Sequence, residues 1–376
     1  MENKKNIAIV ISTLRVGGGA ERVASIVGNN LASSGHKVTF LIFDYEGDKF
    51  PIQTNYFLID TGEIKNSFGA LRALFKRAKK IKKFCQKNNV DHIISFMEEA
   101  GFASIISKIF FGNNIKIITS IRNNPEKKKF FSKKLIKYLY SKADKVVANS
   151  LGNEEILKRR FGLKNTITIY NLIDYEKIEE AKNEEMDEKY KKLFTGDKTF
   201  LNIGRFTEQK GQVYLISAFK KVVEAFGDAK LIIIGQGKER IELRSLINKL
   251  DLNKNVFLLE EQKNIFSFMA KSNFFVLSSL WEGMPNVLSE ALAVGLPVIS
   301  TDCDCGPREI LAPKDMNKKL DYPFKGENGI LISIKNEKDL FQAMVSMIKE
   351  GRKKLPKVFS EFKIENIIKQ WEEIVL

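Results

Sequence analysis

Ser278–Cys305, SSLWEGMPNVLSEALAVGLPVISTDCDC, is the stretch whose pattern decides the fold. It reads as loop, helix, tight turn, strand. Pro285 suits a first helical position, where its missing N–H costs nothing, and Gly295 suits a left-handed helix stop. Pro297 opens an apolar strand, PVIST. Two carboxylates bracket the helix entry, Glu282 in the loop before it and Glu290 about one and a half turns inside. Such a pair at a helix mouth after a strand is a site-like arrangement. Two solvated glutamates would look the same, so the rest of the chain has to decide.

Working outward, short apolar runs alternate with helical periodicity. Strands are predicted at Ile7–Ser12, Val38–Phe43, His92–Phe96, Ile115–Ser120, Lys145–Ala148 and Ile167–Tyr170. Between the first two, Val23, Val27 and Leu31 recur at helical spacing and Gly35 supplies the stop, a βαβ pattern and hence a parallel sheet. Lys182–Lys192, KNEEMDEKYKK, is charged and reads as the tail of a linker. The pattern then restarts with Thr199–Ile203, Leu231–Ile234, Val256–Leu259, Phe274–Leu277, Pro297–Thr301 and Gly329–Ile332. The expected fold is α/β, with two facing Rossmann-like doubly wound domains. Their expected bounds are 1–180 and 181–355, and a last helix in 356–376, after Pro356, crosses back to the N-terminal domain.

At 376 residues two domains are the natural expectation, and 44% hydrophobic content excludes wholesale disorder. A net charge of +16 points to an anionic partner: nucleic acid, an acidic membrane surface or phosphorylated substrates. Cys85, Cys303 and Cys305 provide neither a four-ligand zinc site nor a disulfide framework, which fits a reducing cytosol. The apolar run after the basic start is too short for a signal peptide, and nothing approaches the ~20 apolar residues of a membrane span. A membrane, if met, is met from its surface.

Three motifs could carry chemistry. Val16–Arg22, VGGGAER, puts three glycines between a strand and a helix, where backbone N–H groups can approach an anion. Arg22 stands where a dinucleotide fingerprint needs a further glycine, and the Lys-Ser/Thr ending of a P-loop is missing. In Ile203–Gly211, IGRFTEQKG, Arg205 and Lys210 are spaced to clamp a diphosphate, Arg bidentately and Lys as a point charge. Beside them, Glu282 and Glu290 suit sugar or ribose hydroxyls. The competing readings are a mobile turn, solvated cations and helix-mouth glutamates held by the dipole.

In that order, GGGAER, GRFTEQKG, IIIGQGKER and WEGMPNVLSEALAVGLPVISTDCDCGPREI, the chain resembles the retaining family 4 glycosyltransferases of the GT-B fold, over nearly its whole length. The resemblance implies a metal-independent retaining hexosyltransferase that takes a nucleotide sugar, expected to be a UDP-sugar. It implies that Gly18 and Gly19 approach the donor diphosphate and acceptor, and that Arg205 and Lys210 neutralise the leaving diphosphate. Glu282 would contact the donor sugar, with Gly283, Met284, Pro285 and Asn286 nearby. Glu290 would hold the ribose, and the 261–264 loop with Asn264 would lie by the base. Many relatives carry a histidine near the sugar where this chain has Ile121-Arg122-Asn123, so Arg122 stands in for the sugar or acceptor contact. His36 and His92 read as structural. Asp302-Cys303-Asp304 mimics the metal motif of the other transferase fold and reads as a structural loop. Glu282→Ala and Lys210→Ala are each expected to nearly abolish transfer with the fold intact.

Two basic segments fall in the acceptor half. Leu71–Lys87 aligns Leu71, Leu74, Phe75, Ala78, Ile81 and Cys85, with Arg72, Lys76, Arg77 and further lysines around them. Lys127–Lys142 aligns Phe131, Leu135, Tyr138 and Leu139. They read as core stripes with solvated lysines, or as surfaces for anionic lipid, worth ~1 kcal/mol per basic residue. The expected acceptor is a lipid-linked oligosaccharide, lipopolysaccharide or capsular glycan at the inner face of a bacterial cytoplasmic membrane. The rival readings are a sugar-nucleotide epimerase of the same fold and a non-enzymatic basic protein. Nucleic acid is disfavoured, because recognisable modules and spaced stacking aromatics are missing.

Overall fold

The computed structural model describes residues 4–16, 18–44, 47–59, 67–112, 115–351 and 357–376. Gly17 of the triple glycine and Pro356 lie outside the described residues. The chain forms two compact units. One runs to Leu172 and takes in Ile364–Leu376; the other is Ile173–Lys363.

The first unit holds β1 (Asn6–Ile11), β2 (Lys37–Ile42), β3 (Asn55–Leu58), β4 (His92–Phe96), β5 (Lys116–Ile121), β6 (Lys145–Ala148) and β7 (Thr166–Thr168). They pair in parallel in the order β3-β2-β1-β4-β5-β6-β7. Because side chains alternate along a strand, Ile7, Ile9 and Ile11 face one core and Ala8 and Val10 the other. On the first face lie Val23, Val27 and Leu31 of the Gly19–Ser33 helix, with Ile367, Ile368 and Trp371 of the Ile364–Val375 helix. Trp371 is fully buried, its ring 5.5 Å from that of Phe96. The other face is covered by Ala78 and Ile81 of Ser67–Lys87, Ile105 of Glu98–Phe111 and Ile136 of Phe130–Tyr140.

The second unit holds β8 (Thr199–Ile203), β9 (Lys230–Ile234), β10 (Val256–Leu259), β11 (Phe274–Leu277), β12 (Val298–Thr301), β13 (Phe324–Lys325) and β14 (Ile330–Ile332), in the order β10-β9-β8-β11-β12-β14-β13. Leu215 and Phe219 of the Gln212–Ala225 helix, Leu243 of Arg240–Lys249 and Met344 of Glu337–Glu350 pack on one face. Among the described residues of this sheet, only β13 runs antiparallel.

Each sheet therefore has seven strands, one more than expected. The two missed strands sit at sheet edges. β3 is short and exposed along its length although its Tyr56, Phe57 and Leu58 are apolar, and β13 is two residues long. Lys182–Lys192 is not a linker. Asp187 caps a short Glu188–Lys191 helix, and the Tyr190 ring lies 5.3 Å from Phe268 of the same unit. The boundary lies before that segment, after Leu172.

Candidate functional site

In the second sheet the strand order reverses between β8 and β11, which are neighbours although the chain leaves for β9 and β10 in between. Crevices at the carboxyl ends of strands at such a reversal are where open α/β sheets bind ligands. The loop after β8 carries Arg205 and Lys210, and the loop after β11 carries Glu282.

The two loops are tied together by their backbones. The Leu280 amide donates to the Gln209 carbonyl at 2.7 Å, Ser278 Oγ to the Lys210 carbonyl at 2.8 Å, and Gln209 Nε2 to the Trp281 carbonyl at 2.9 Å. Gly211 makes this approach possible. Its φ is +58°, and a Cβ there would lie 2.2 Å from the Ser278 carbonyl oxygen. Held this way, Lys210 Nζ lies 2.6 Å from Glu282 Oε1, and Ser279 Oγ donates to the same oxygen at 2.6 Å. The pair is largely out of water, the side chains 15% and 7% exposed. Arg205, five residues before Lys210, is exposed and makes no ion pair among the described residues.

Gly283, Met284 and Pro285 form the turn into the Asn286–Val294 helix. Pro285 is the residue before that helix rather than its first member, and no side chain caps it. Gly295 closes it at φ +93°, as the sequence suggested. Gly306 lets the loop after β12 pack under this turn, since a Cβ there would sit 2.8 Å from the Gly283 carbonyl oxygen. Glu290 is buried in the helix's second turn, one residue nearer its mouth than expected. The structure thus brings Lys210, Glu282 and the helix entry together and leaves Arg205 exposed on the loop that carries Lys210.

Asn264 is placed differently. It caps the Ile265–Lys271 helix, accepting from the Phe266 and Ser267 amides, and its Nδ2 donates to the Ala181 carbonyl and to Glu184, each at 2.7 Å. Its side chain is committed to structure. Asp302 is likewise engaged: Arg308 Nε donates to both its oxygens, at 3.1 and 2.9 Å, and the Tyr322 hydroxyl to Oδ2 at 2.5 Å. Ser279, just past β11, and Gln209, in the turn after β8, were missed because single polar residues in loops carry no signal until the neighbouring loop is known.

In the first unit Gly18 precedes the Gly19–Ser33 helix, in which Gly19 is the first residue, and the Glu21 carboxylate curls back over Gly18. Arg122 follows β5, its Nη1 donating to Ser120 Oγ at 3.2 Å and its Nη2 to Asn171 Oδ1. His36 accepts from the Lys5 amide at 3.1 Å, and His92 is buried at the start of β4. The stripe assigned to 127–142 holds only in part: Leu139 is buried and Leu135 packs against the same core. Phe131 and Tyr138 are 70% and 60% exposed, and the helix packs inward through Ile136, Leu139 and Tyr140. In the other basic helix Leu71 is exposed, whereas Arg77 is buried, paired with Glu99 and 4.4 Å from the Phe43 ring. Among the described residues, no helix is long and apolar enough to cross a membrane.

Comparison with known proteins agrees with this geometry. The Glycosyltransferase Family 4 model matches residues 17–177 and the Glycosyl transferases group 1 model residues 183–365. A Methanocaldococcus jannaschii glycosyltransferase is 40% identical over 80% of this chain and 83% of its own. The chain is a family 4 glycosyltransferase. A second relative of this glycosyltransferase is a Campylobacter jejuni N-acetylgalactosamine-N,N'-diacetylbacillosaminyl-diphospho-undecaprenol 4-alpha-N-acetylgalactosaminyltransferase, 30% identical over 89% of this chain and 88% of its own. Anabaena HepE, crystallised with UDP, shares the GT-B fold at a TM-score of 0.74 and 18% identity, over 98% of this chain and 99% of that one.

Proposed function

We propose that this glycosyltransferase moves a hexosyl group from a UDP-sugar, with retention, onto a lipid-linked or surface-glycan acceptor. The observation that carries the reading is the Lys210–Glu282 pair at the strand-order reversal of the second sheet, with exposed Arg205 on the loop that carries Lys210. Arg205 and Lys210 supply positive charge for a departing diphosphate. Glu282 Oε1 is held by Lys210 and Ser279, which fixes the carboxylate for hydrogen bonds from sugar hydroxyls. The backbone from Gly283 to Asn286 opens a helix just after Glu282, where N–H dipoles favour an anion. Glu290 is offered to the ribose, and Gly18, Gly19 and Arg122 to the acceptor in the first domain.

The chemistry needs no protein nucleophile. The sugar C1–O bond to the diphosphate breaks, its electron pair leaving with the phosphate oxygen. The acceptor hydroxyl bonds to C1 from the same face, and its proton passes to that departing oxygen. No metal enters this scheme, since cationic side chains and helix amides meet the charge. The relative that acts on a diphospho-undecaprenol glycan supports a lipid-linked acceptor and a bacterial surface-polysaccharide or lipopolysaccharide role. The exposed Phe130 and Phe131 among lysines support work at the anionic cytoplasmic face of the membrane.

A thermal-shift screen over UDP-, GDP- and ADP-sugars, followed by mass spectrometry of products on polyprenyl and lipopolysaccharide acceptors, tests the reading. Stabilisation by a UDP-sugar and acceptor-dependent release of UDP are expected. Stabilisation by another nucleotide sugar alone overturns the donor assignment.

A further inference from the structure

Among the described residues, Arg122 is a cation without a counter-charge. Its guanidinium meets Ser120 Oγ and Asn171 Oδ1, both uncharged, and lies 5.7 Å from the Phe96 ring centroid. Its Nε–H is buried and has no acceptor among the described residues. Burial pushes the guanidinium down to about 9, with no carboxylate acting the other way, so it stays cationic near neutral pH. Other partly sheltered arginines are treated differently: Arg77 pairs with Glu99 and Arg308 with Asp302. Taking a charge out of water is costly, and one hydroxyl, one amide oxygen and a ring face return only part of the loss.

The position is equally telling. Arg122 follows the carboxyl end of β5 and lies by Phe96, the last residue of β4, whose other neighbour is β1. The strand order of the first sheet reverses between β1 and β4, which puts Arg122 at the ligand-binding edge of this sheet. From Arg122 the chain runs through the Asn124-capped turn at Pro125–Lys127 directly into the lysine-rich Phe130–Tyr140 helix. A planar fork with an unmet N–H suits a tetrahedral oxyanion, to which a guanidinium can donate two bonds at once.

We propose that Arg122, with Asn171 and Ser120, forms an oxyanion site for a phosphoryl group of the acceptor. This rests on the reading that the first domain takes the acceptor. The same chemistry could be met by a lipid-linked diphosphate or by the donor's diphosphate, and the arms of the test separate the two.

The test compares the full-length wild type, Arg122→Met, Arg122→Lys and Arg205→Ala. Inorganic pyrophosphate is titrated by thermal shift and calorimetry, and UDP in parallel. Arg122→Met is expected to melt no lower than wild type without ligand, because an uncompensated charge has been removed. With the donor site saturated by UDP, it is expected to lose the remaining pyrophosphate binding, which Arg205→Ala retains, and in the parallel titration to keep its UDP affinity within about twofold. Arg122→Lys, which keeps the charge but not the fork, should bind pyrophosphate ~10-fold more weakly. With a diphosphate-linked acceptor, KM should rise at least ~10-fold in Arg122→Met, and it should not change with the same glycan on a neutral alkyl chain. An undiminished pyrophosphate response together with a lower melting temperature would make Arg122 a structural strut and overturn the proposal. An equal loss of UDP binding would move it to the donor and overturn it too. Failure to transfer sugar to any acceptor would sink the proposed function, while the pyrophosphate titration would still decide the site.

Discussion

Lys210 and Glu282, 72 residues apart in sequence, form a 2.6 Å ion pair that is nearly closed to solvent. Removing either partner leaves the other charge buried alone, which typically costs about 3–5 kcal/mol. Lys210→Ala and Glu282→Ala should therefore each nearly abolish transfer and also lower the urea midpoint, so the expectation of an intact fold gives way. In a cycle built from Lys210→Met, Glu282→Gln and the two combined, the double variant should recover most of the stability that the single variants lose and none of the transfer. Additive stability losses in that double-mutant cycle would mean the pair is not coupled.

Arg205 should behave differently. Exposed and without an ion-pair partner among the described residues, it has little stability to lose, and Arg205→Ala should stay within ~0.5 kcal/mol of wild type. Its cost should fall on the donor, with a KM for the nucleotide sugar raised ~10-fold or more, an effect that shrinks as salt is added. A wild-type KM would remove Arg205 from the site.

Phe130 and Phe131 are 73% and 70% exposed. Their replacement by serine should leave the melting temperature unchanged and cut binding to vesicles containing anionic lipid. Reversing Lys133, Lys134 and Lys137 to glutamate should do the same through charge, at ~1 kcal/mol each. Equal binding of both variants and wild type would end the membrane assignment.

His92 should give the fold a mild acid sensitivity. Burial chiefly, then the nearby Lys116, lowers its pKa, and neither ring nitrogen has a partner among the described residues. The unfolded chain takes up the proton near pH 6.5 and the folded one resists it. This part of the stability is complete above about pH 6.5 and is lost as the pH falls towards the folded pKa. His92→Leu should flatten the urea midpoint between pH 7.5 and 5.5. An unchanged slope would assign the sensitivity to other groups.

Asp302, held by Arg308 and Tyr322, should matter to stability rather than to a cation. Transfer should survive EDTA, and Asp302→Asn should lower the melting temperature with little change in KM. Loss of activity on chelation, restored by Mn²⁺, would reverse that view.

Interior elements were legible because their residues are apolar on a fixed period. His92–Phe96, Lys145–Ala148 and Phe274–Leu277 are buried on both faces and read as strands without help. Edges were not, since Asn55–Leu58 gains its pairing only from β2. Motif residues of the site could be read from the chain, but their connections could not. The spacing of Arg205 and Lys210 suggested a pair, whereas the adjacency of β8 and β11 gives Lys210 to Glu282 instead. Phe131 and Tyr138 sat at core-like spacing, yet the neighbouring helices leave that flank uncovered. Arg77 looked like one more solvated cation until Glu99 and Phe43 were placed beside it.

The helix carrying Trp371 closes a core begun some 360 residues earlier, by Ile7 and Ile9. During synthesis, the first domain's sheet must wait with one flank open while the entire second domain, 173–363, is made. The usual order, in which the N-terminal unit finishes first, is thereby inverted. The second domain can mature on its own, and the first becomes complete only when the last helix arrives. A chain cut before the last helix would thus hold a complete second domain and an unfinished first one with its apolar flank exposed.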